Sequence, residues 1–121
     1  MTRPRVALGI GDRWGALRES LEKIEAIELE TLVLSVSATH AHLLANFEGR
    51  DVGREVGRLK RASSHALRDR FPGGLWSRRC HVVTIRSREH HARVFDYIVE
   101  HGRLEHASVW TFRDPIPGLG D

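Results

Sequence analysis

Two histidines one residue apart, His40 and His42, and a solitary tyrosine, Tyr97, are the residues of this chain best suited to chemistry. Side chains at i and i+2 leave the same side of a strand, so His40 and His42 can reach one metal ion. His101 follows Tyr97 by four residues, one helical turn, and shares its face. From a helix packed across a sheet it could supply a third ligand. Imidazole suits zinc, manganese, iron or nickel better than magnesium, whose preference is for oxygen. Three histidines with an open position also describe a catalytic zinc site. A free phenol, with its pKa near 10, is a poor nucleophile at neutral pH. A cation that stabilises the phenolate or polarises a phosphate changes that. The chemistry in prospect is attack on a phosphodiester. Eight histidines in 121 residues make a His-x-His pair weakly specific on its own.

Those residues need a scaffold, and the composition allows one. A chain of 121 residues is one domain with a core of its own. Its 40% hydrophobic and 29% charged residues are ordinary for a soluble globular protein. No apolar run approaches the roughly 20 residues of a membrane span, and the N-terminus lacks a signal-peptide core. Cys80 is the only cysteine, which excludes an intrachain disulfide and a cysteine metal cluster. A cytoplasmic protein is expected. The 19 basic residues are mostly Arg, the residue for forked phosphate contacts. Acids crowd into 19–30 and bases into 50–93, an asymmetry that suggests a polyanionic partner.

Along the chain, residues 5–10 read as a short strand. Asp12 reads as the N-cap of a helix that turns Trp14, Leu17, Leu21 and Ile24 inward. Residues 31–47 are long for one strand. A break near Ser37, Ala38 and Thr39 gives two strands and puts Ala41, Leu43, Ala45 and Phe47 on one face. His40, His42, Leu44 and Asn46 then point the other way, so the histidines are displayed. Residues 51–70 predict a second helix with Val52, Val56, Leu59, Ala66 and Leu67 inward, ended by the Pro72 and Gly73 region. On it Arg54, Arg58, Arg61, His65 and Arg68 recur at steps of four, three, four and three, a basic stripe that is either a solvated face or a set of phosphate contacts. Residues 80–86 alternate as a strand, with Arg78, Arg79 and Arg86 nearby as further phosphate contacts. Ser87 caps a third helix to about Gly102, and 107–112 form a last strand before a loose tail over 113–121. This order points to an α+β fold, a ferredoxin-like antiparallel sheet with helices packed on one face.

Three segments, in order, carry a family resemblance. Thr39-His40-Ala41-His42-Leu43-Leu44 resembles Asn-His-hydrophobe-His-Leu-Leu. Leu75-Trp76-Ser77-Arg78-Arg79 through Ile85-Arg86 resembles a tryptophan-led strand closing on Ile-Arg. Asp96-Tyr97-Ile98 resembles the Asp-Tyr-Ile around a nucleophile. Together they resemble the single-tyrosine HUH transposases of insertion sequences, especially the REP-associated tyrosine transposases, over about residues 32–102. The chain departs from the family pattern at Ser37-Ala38-Thr39, where Met-Pro-Asn is usual, at Val82, and at His101-Gly102. The resemblance implies a metal-dependent endonuclease and strand transferase acting on single-stranded DNA at hairpins or palindromes, as monomer or homodimer. It implies His40 and His42 as metal ligands, with His101 at the position that completes the site. Tyr97 would be the nucleophile that becomes a 5′-phosphotyrosine. Magnesium or manganese is the ion the family implies, and zinc is the one three histidines would suit. Two other readings use the same residues: a domesticated module that binds single-stranded nucleic acid without cutting, and a zinc hydrolase.

Overall fold

The break expected inside residues 31–47 is a hairpin turn, and it organises the molecule. The computed structural model describes residues 8–72, 74–76 and 81–115. In chain order the elements are α1 (Ile10–Ala26), β1 (Glu30–Val36), β2 (Ala41–Asn46), α2 (Val52–Ala66), α3 (Arg88–Leu104) and β3 (Ser108–Thr111). The strands form an antiparallel sheet in the order β2-β1-β3. The chain is α+β, as expected. In the hairpin turn the Ser37 N–H donates to the His40 carbonyl at 2.8 Å, and the Ser37 hydroxyl oxygen accepts from the His40 N–H at 3.1 Å. One short polar side chain thus closes a turn that has no glycine.

Register decides which face each residue takes. Leu34 pairs with Leu43 on one side and Trp110 on the other, and all three face α1. Val33 and Leu44 pair on the opposite face, with Ile98 of α3 over them. A bulge between Thr31 and Val33 puts Leu32 on that second face beside Val33. Strict alternation would put Leu32 on the face of Leu34, but the extra residue resets the pleat.

The helices therefore lie on both faces, not on one as expected. α1 covers one face through Leu17, Leu21 and Ile24, and α2 packs on α1 through Leu59. α3 covers the other through Ile98, Val94 and Val99. No helix among the described residues is long and apolar enough to cross a membrane.

Several local expectations shift. α1 starts at Gly9 as N-cap, and Asp12 sits three residues in, accepting from the Gly9 N–H at 3.3 Å and pairing with Arg70 at 2.9 Å. Ile10 is helical, so the strand expected over 5–10 is not formed at its end; residues 5–7 lie outside the described residues. Trp14, expected inward, is 48% exposed. α2 is capped by Asp51 and stops at Ala66, which is exposed, four residues before its expected end. Ser87 caps α3 as expected, but the helix runs past Gly102. Residues 81–86 form no strand among the described residues, and Val82 and Val83 are exposed; Cys80 lies outside them. Alternation proposes a strand, but only a hydrogen-bonding neighbour makes one. The tail expected from 113 begins instead as a turn, with Asp114 accepting from the Thr111 N–H at 2.9 Å; residues 116–121 lie outside the described residues.

Candidate functional site

His42, Tyr97 and His101 meet on the α3 face of the sheet. His42 pairs across the strands with Ser35, and Ser35 with Val109, so these three share that face. α3 lies over them, and Gly102 is what lets it come close. A methyl group on Gly102 would stand 2.6 Å from Val109 Cγ2 and 3.0 Å from Ser35 Oγ. The glycine read from sequence as a helix stop is a notch in the helix that fits two small neighbours. Termination falls instead to His106, which takes the left-handed conformation at φ 54° while the Ala107 N–H donates to the Gly102 carbonyl at 2.8 Å.

With the helix at that depth, the rings come together. The Tyr97 and His101 rings stack with centroids 5.3 Å apart. The His42 ring stands edge-on to both, at 5.8 Å from His101 and 6.4 Å from Tyr97. Tyr97 is 58% exposed. A groove of about 1310 Å³ follows the outer edge of β2 and includes His40, His42, Tyr97 and Ile98 in its walls.

Electrostatics keep the pocket's central imidazole neutral. Burial holds the His42 pKa below the usual histidine value, and nearby His101 and His40 push it the same way, against a smaller opposing pull from Glu105. A metal ligand must be a neutral imidazole, so this environment suits ligation. His101 directs Nε2 towards Glu105 Oε1 at 3.5 Å, while its Nδ1 is buried with no hydrogen-bond partner among the described residues. An orphaned buried nitrogen beside a neutral imidazole fits a divalent cation.

His40 acts on His42 through charge but is not in the ring cluster. It lies in the hairpin turn, exposed, with its Nδ1 2.7 Å from Thr39 Oγ1. Among the described residues no three His, Cys, Asp or Glu side chains converge closely enough to hold an ion. The expected pair His40 and His42 is thus split between turn and strand, and the close imidazoles are His42 and His101.

The expected phosphate contacts are scattered. The α2 stripe lies with α1, across the sheet from Tyr97. Within it Arg58 pairs with the buried Glu55 at 3.5 Å and Arg68 donates to the His65 carbonyl at 2.8 Å, whereas Arg54 and Arg61 are exposed. Glu55 also takes Arg50 at 3.3 Å, and Arg50 bonds the carbonyls of Ile27 and Glu28 that end α1. Part of the basic character of α2 is therefore structural. Arg86 lies on the α3 side, and Arg78 and Arg79 are outside the described residues. Sequence reasoning missed Arg93, exposed and one turn before Tyr97; its four-residue spacing from the tyrosine was the available signal.

Compared with known proteins, the chain matches no protein-family model, no curated protein and no solved structure. The candidate site is defined by its own residues.

Proposed function

We propose that the protein is a metal-dependent endonuclease and strand transferase acting on single-stranded DNA, with Tyr97 as its nucleophile. One observation carries this reading: the only phenol in the chain lies against two imidazoles, contributed by residues 42 and 101, and lines a groove. The motif order of His40-Ala41-His42, Trp76 and Asp96-Tyr97-Ile98, which resembles the single-tyrosine HUH transposases, supports the same chemistry.

In this reading the Tyr97 oxygen attacks the phosphorus of a phosphodiester. A Tyr–O–P bond forms to the 5′-phosphate, the P–O3′ bond breaks, the phenol loses its proton and the departing 3′-oxygen gains one. The ester energy stays in the phosphotyrosine link, so a 3′-hydroxyl can attack it and rejoin strands without another energy source. His42 and His101 would hold a divalent ion, with His40 reaching in from the turn as a further ligand. Such an ion would polarise a phosphate oxygen. The exposed ring of Tyr97 leaves room for a nucleic-acid strand, and its stacking on His101 limits the orientations of the hydroxyl.

The test is incubation of the full chain with hairpin-bearing single-stranded DNA and manganese or magnesium, followed by denaturing electrophoresis. A protein–DNA adduct that survives denaturation, and is absent in Tyr97→Phe, is the expected result. Cleavage without an adduct would point to a hydrolase. Retention of DNA without cleavage would point to a binding module.

A further inference from the structure

We infer that a single nucleic-acid strand reaches Tyr97 along the exposed strip of α3, with its phosphates held by Arg93 and His90, and not over the arginine stripe of α2. The inference rests on the reading above in taking single-stranded DNA as the ligand.

Helical spacing places the strip. Arg93 is four residues and His90 seven residues before Tyr97, so all three lie along one side of α3. Arg93 is exposed, and its guanidinium has no hydrogen bond or ion pair with a described residue. His90 accepts the Arg86 N–H at Nδ1, at 3.4 Å, so the neutral ring carries its proton on Nε2 and has a donor to offer. Three acids lie near the strip. Glu100 is engaged by Arg103 at 3.5 Å. Glu89, four residues before Arg93, and Asp96, three after it, share its side of the helix, but neither is ion-paired with it. The strip therefore offers two open donors, the Arg93 guanidinium and an imidazole N–H, on the approach to the nucleophile.

The α2 stripe lacks that continuity. It lies on the other side of the sheet, and two of its arginines are occupied, Arg58 by Glu55 and Arg68 by a backbone carbonyl. A strand following it would reach Tyr97 only round the outer edge of β2, along the groove that Val52 and Val56 of α2 also line.

The experiment measures binding of a fluorescein-labelled single strand of roughly 15 mixed-sequence nucleotides, a length within the range of such sites, by anisotropy across a salt series. The proteins are the full chain, Arg93→Gln with His90→Gln, Arg93→Lys, and Arg54→Gln with Arg61→Gln. The α3 pair is expected to weaken binding roughly fivefold to tenfold, and to lower the salt slope by about 0.7 for each phosphate that is no longer neutralised. Arg93→Lys is expected to recover the slope, and the α2 pair to bind within about twofold of the parent. Arg54, Arg61 and Arg93 are exposed and His90 is half-buried, and thermal melts confirm that every variant is folded. Equal binding by the α3 pair and the parent overturns the inference, as does a larger loss in the α2 pair. No binding by the parent overturns it too. The assay needs neither metal nor cleavage, so it separates the two claims. Arg93-dependent binding with no adduct sinks the nuclease and keeps the path. An adduct with Arg93-independent binding does the reverse.

Discussion

The two faces of the sheet are built to different rules. On the α1 side Ala16, Leu17 and Leu21 are fully buried, and the polar groups that intrude are answered: Asp12 by Arg70, and Glu55 by Arg50 and Arg58. On the α3 side the buried apolar core is Val33, Leu44 and Ile98, and beside it stand three rings, one buried nitrogen without a partner among the described residues and a tyrosine open to solvent. Burial of apolar surface is what stabilises a fold. Unanswered polar groups cost stability and are kept where something else will answer them. One face is closed by apolar burial and paired polar groups, and the other leaves a ring exposed and a nitrogen unpaired among the described residues.

That division can be broken at its strongest point first. Tyr97→Phe is expected to reduce adduct formation to background while leaving the unfolding free energy within about 0.5 kcal/mol, because the hydroxyl is on an exposed side chain. A large loss of stability in urea titrations would mean that the chemical face also carries the fold. Next, Leu21→Ala on the closed face should cost about 2–5 kcal/mol. At a temperature where the variant is still folded, it should form adduct as the parent does. Gly102→Ala joins the two faces. It should cost about 1–3 kcal/mol, because a methyl meets Val109 and Ser35. It should also lower adduct yield well beyond what the folded fraction explains, because α3 is lifted off His42.

The smallest expected effect is one of pH. His42 has its folded pKa below the ordinary value near 6.5, so protons bind more readily to the unfolded chain. Its contribution to stability is complete above that value and is lost as pH falls from it towards the lower folded pKa. Urea titrations of the metal-free chain between pH 7.5 and pH 5, values that bracket the histidine range, should give a decline that His42→Gln flattens. An unchanged slope in that variant would assign the decline to another group.

Much of the chemical face was legible from local pattern. The alternation of Ala41, Leu43, Ala45 and Phe47 set the register that puts His42 on the other face, which α3 half-covers, and the four-residue step placed His101 beside Tyr97. Ser87 announced α3 by its side chain. What could not be read depended on partners distant in sequence. Residues 81–86 alternate like a strand but pair with no strand among the described residues. Gly102 resembles a stop until Ser35 and Val109 are seen beneath it. Asp12 fits a cap position, but a capping pattern uses the same residue type at its third helical position. The split between His40 and His42 follows from where the turn ends, and a one-residue boundary lies below what spacing resolves. The placing of helices on both faces depended on the bulge at Leu32 and on where the crossovers run, neither of which leaves a local mark.

The solitude of Tyr97 has an optical consequence. The chain holds one phenol and three indoles, and only the phenol ionises to a strongly absorbing anion. An ultraviolet difference spectrum recorded across an alkaline titration therefore has a single source, and that source is stacked on His101. Any cation entering between the rings would register as an earlier appearance of the phenolate band. The protein carries, without a label, its own indicator for what occupies the site.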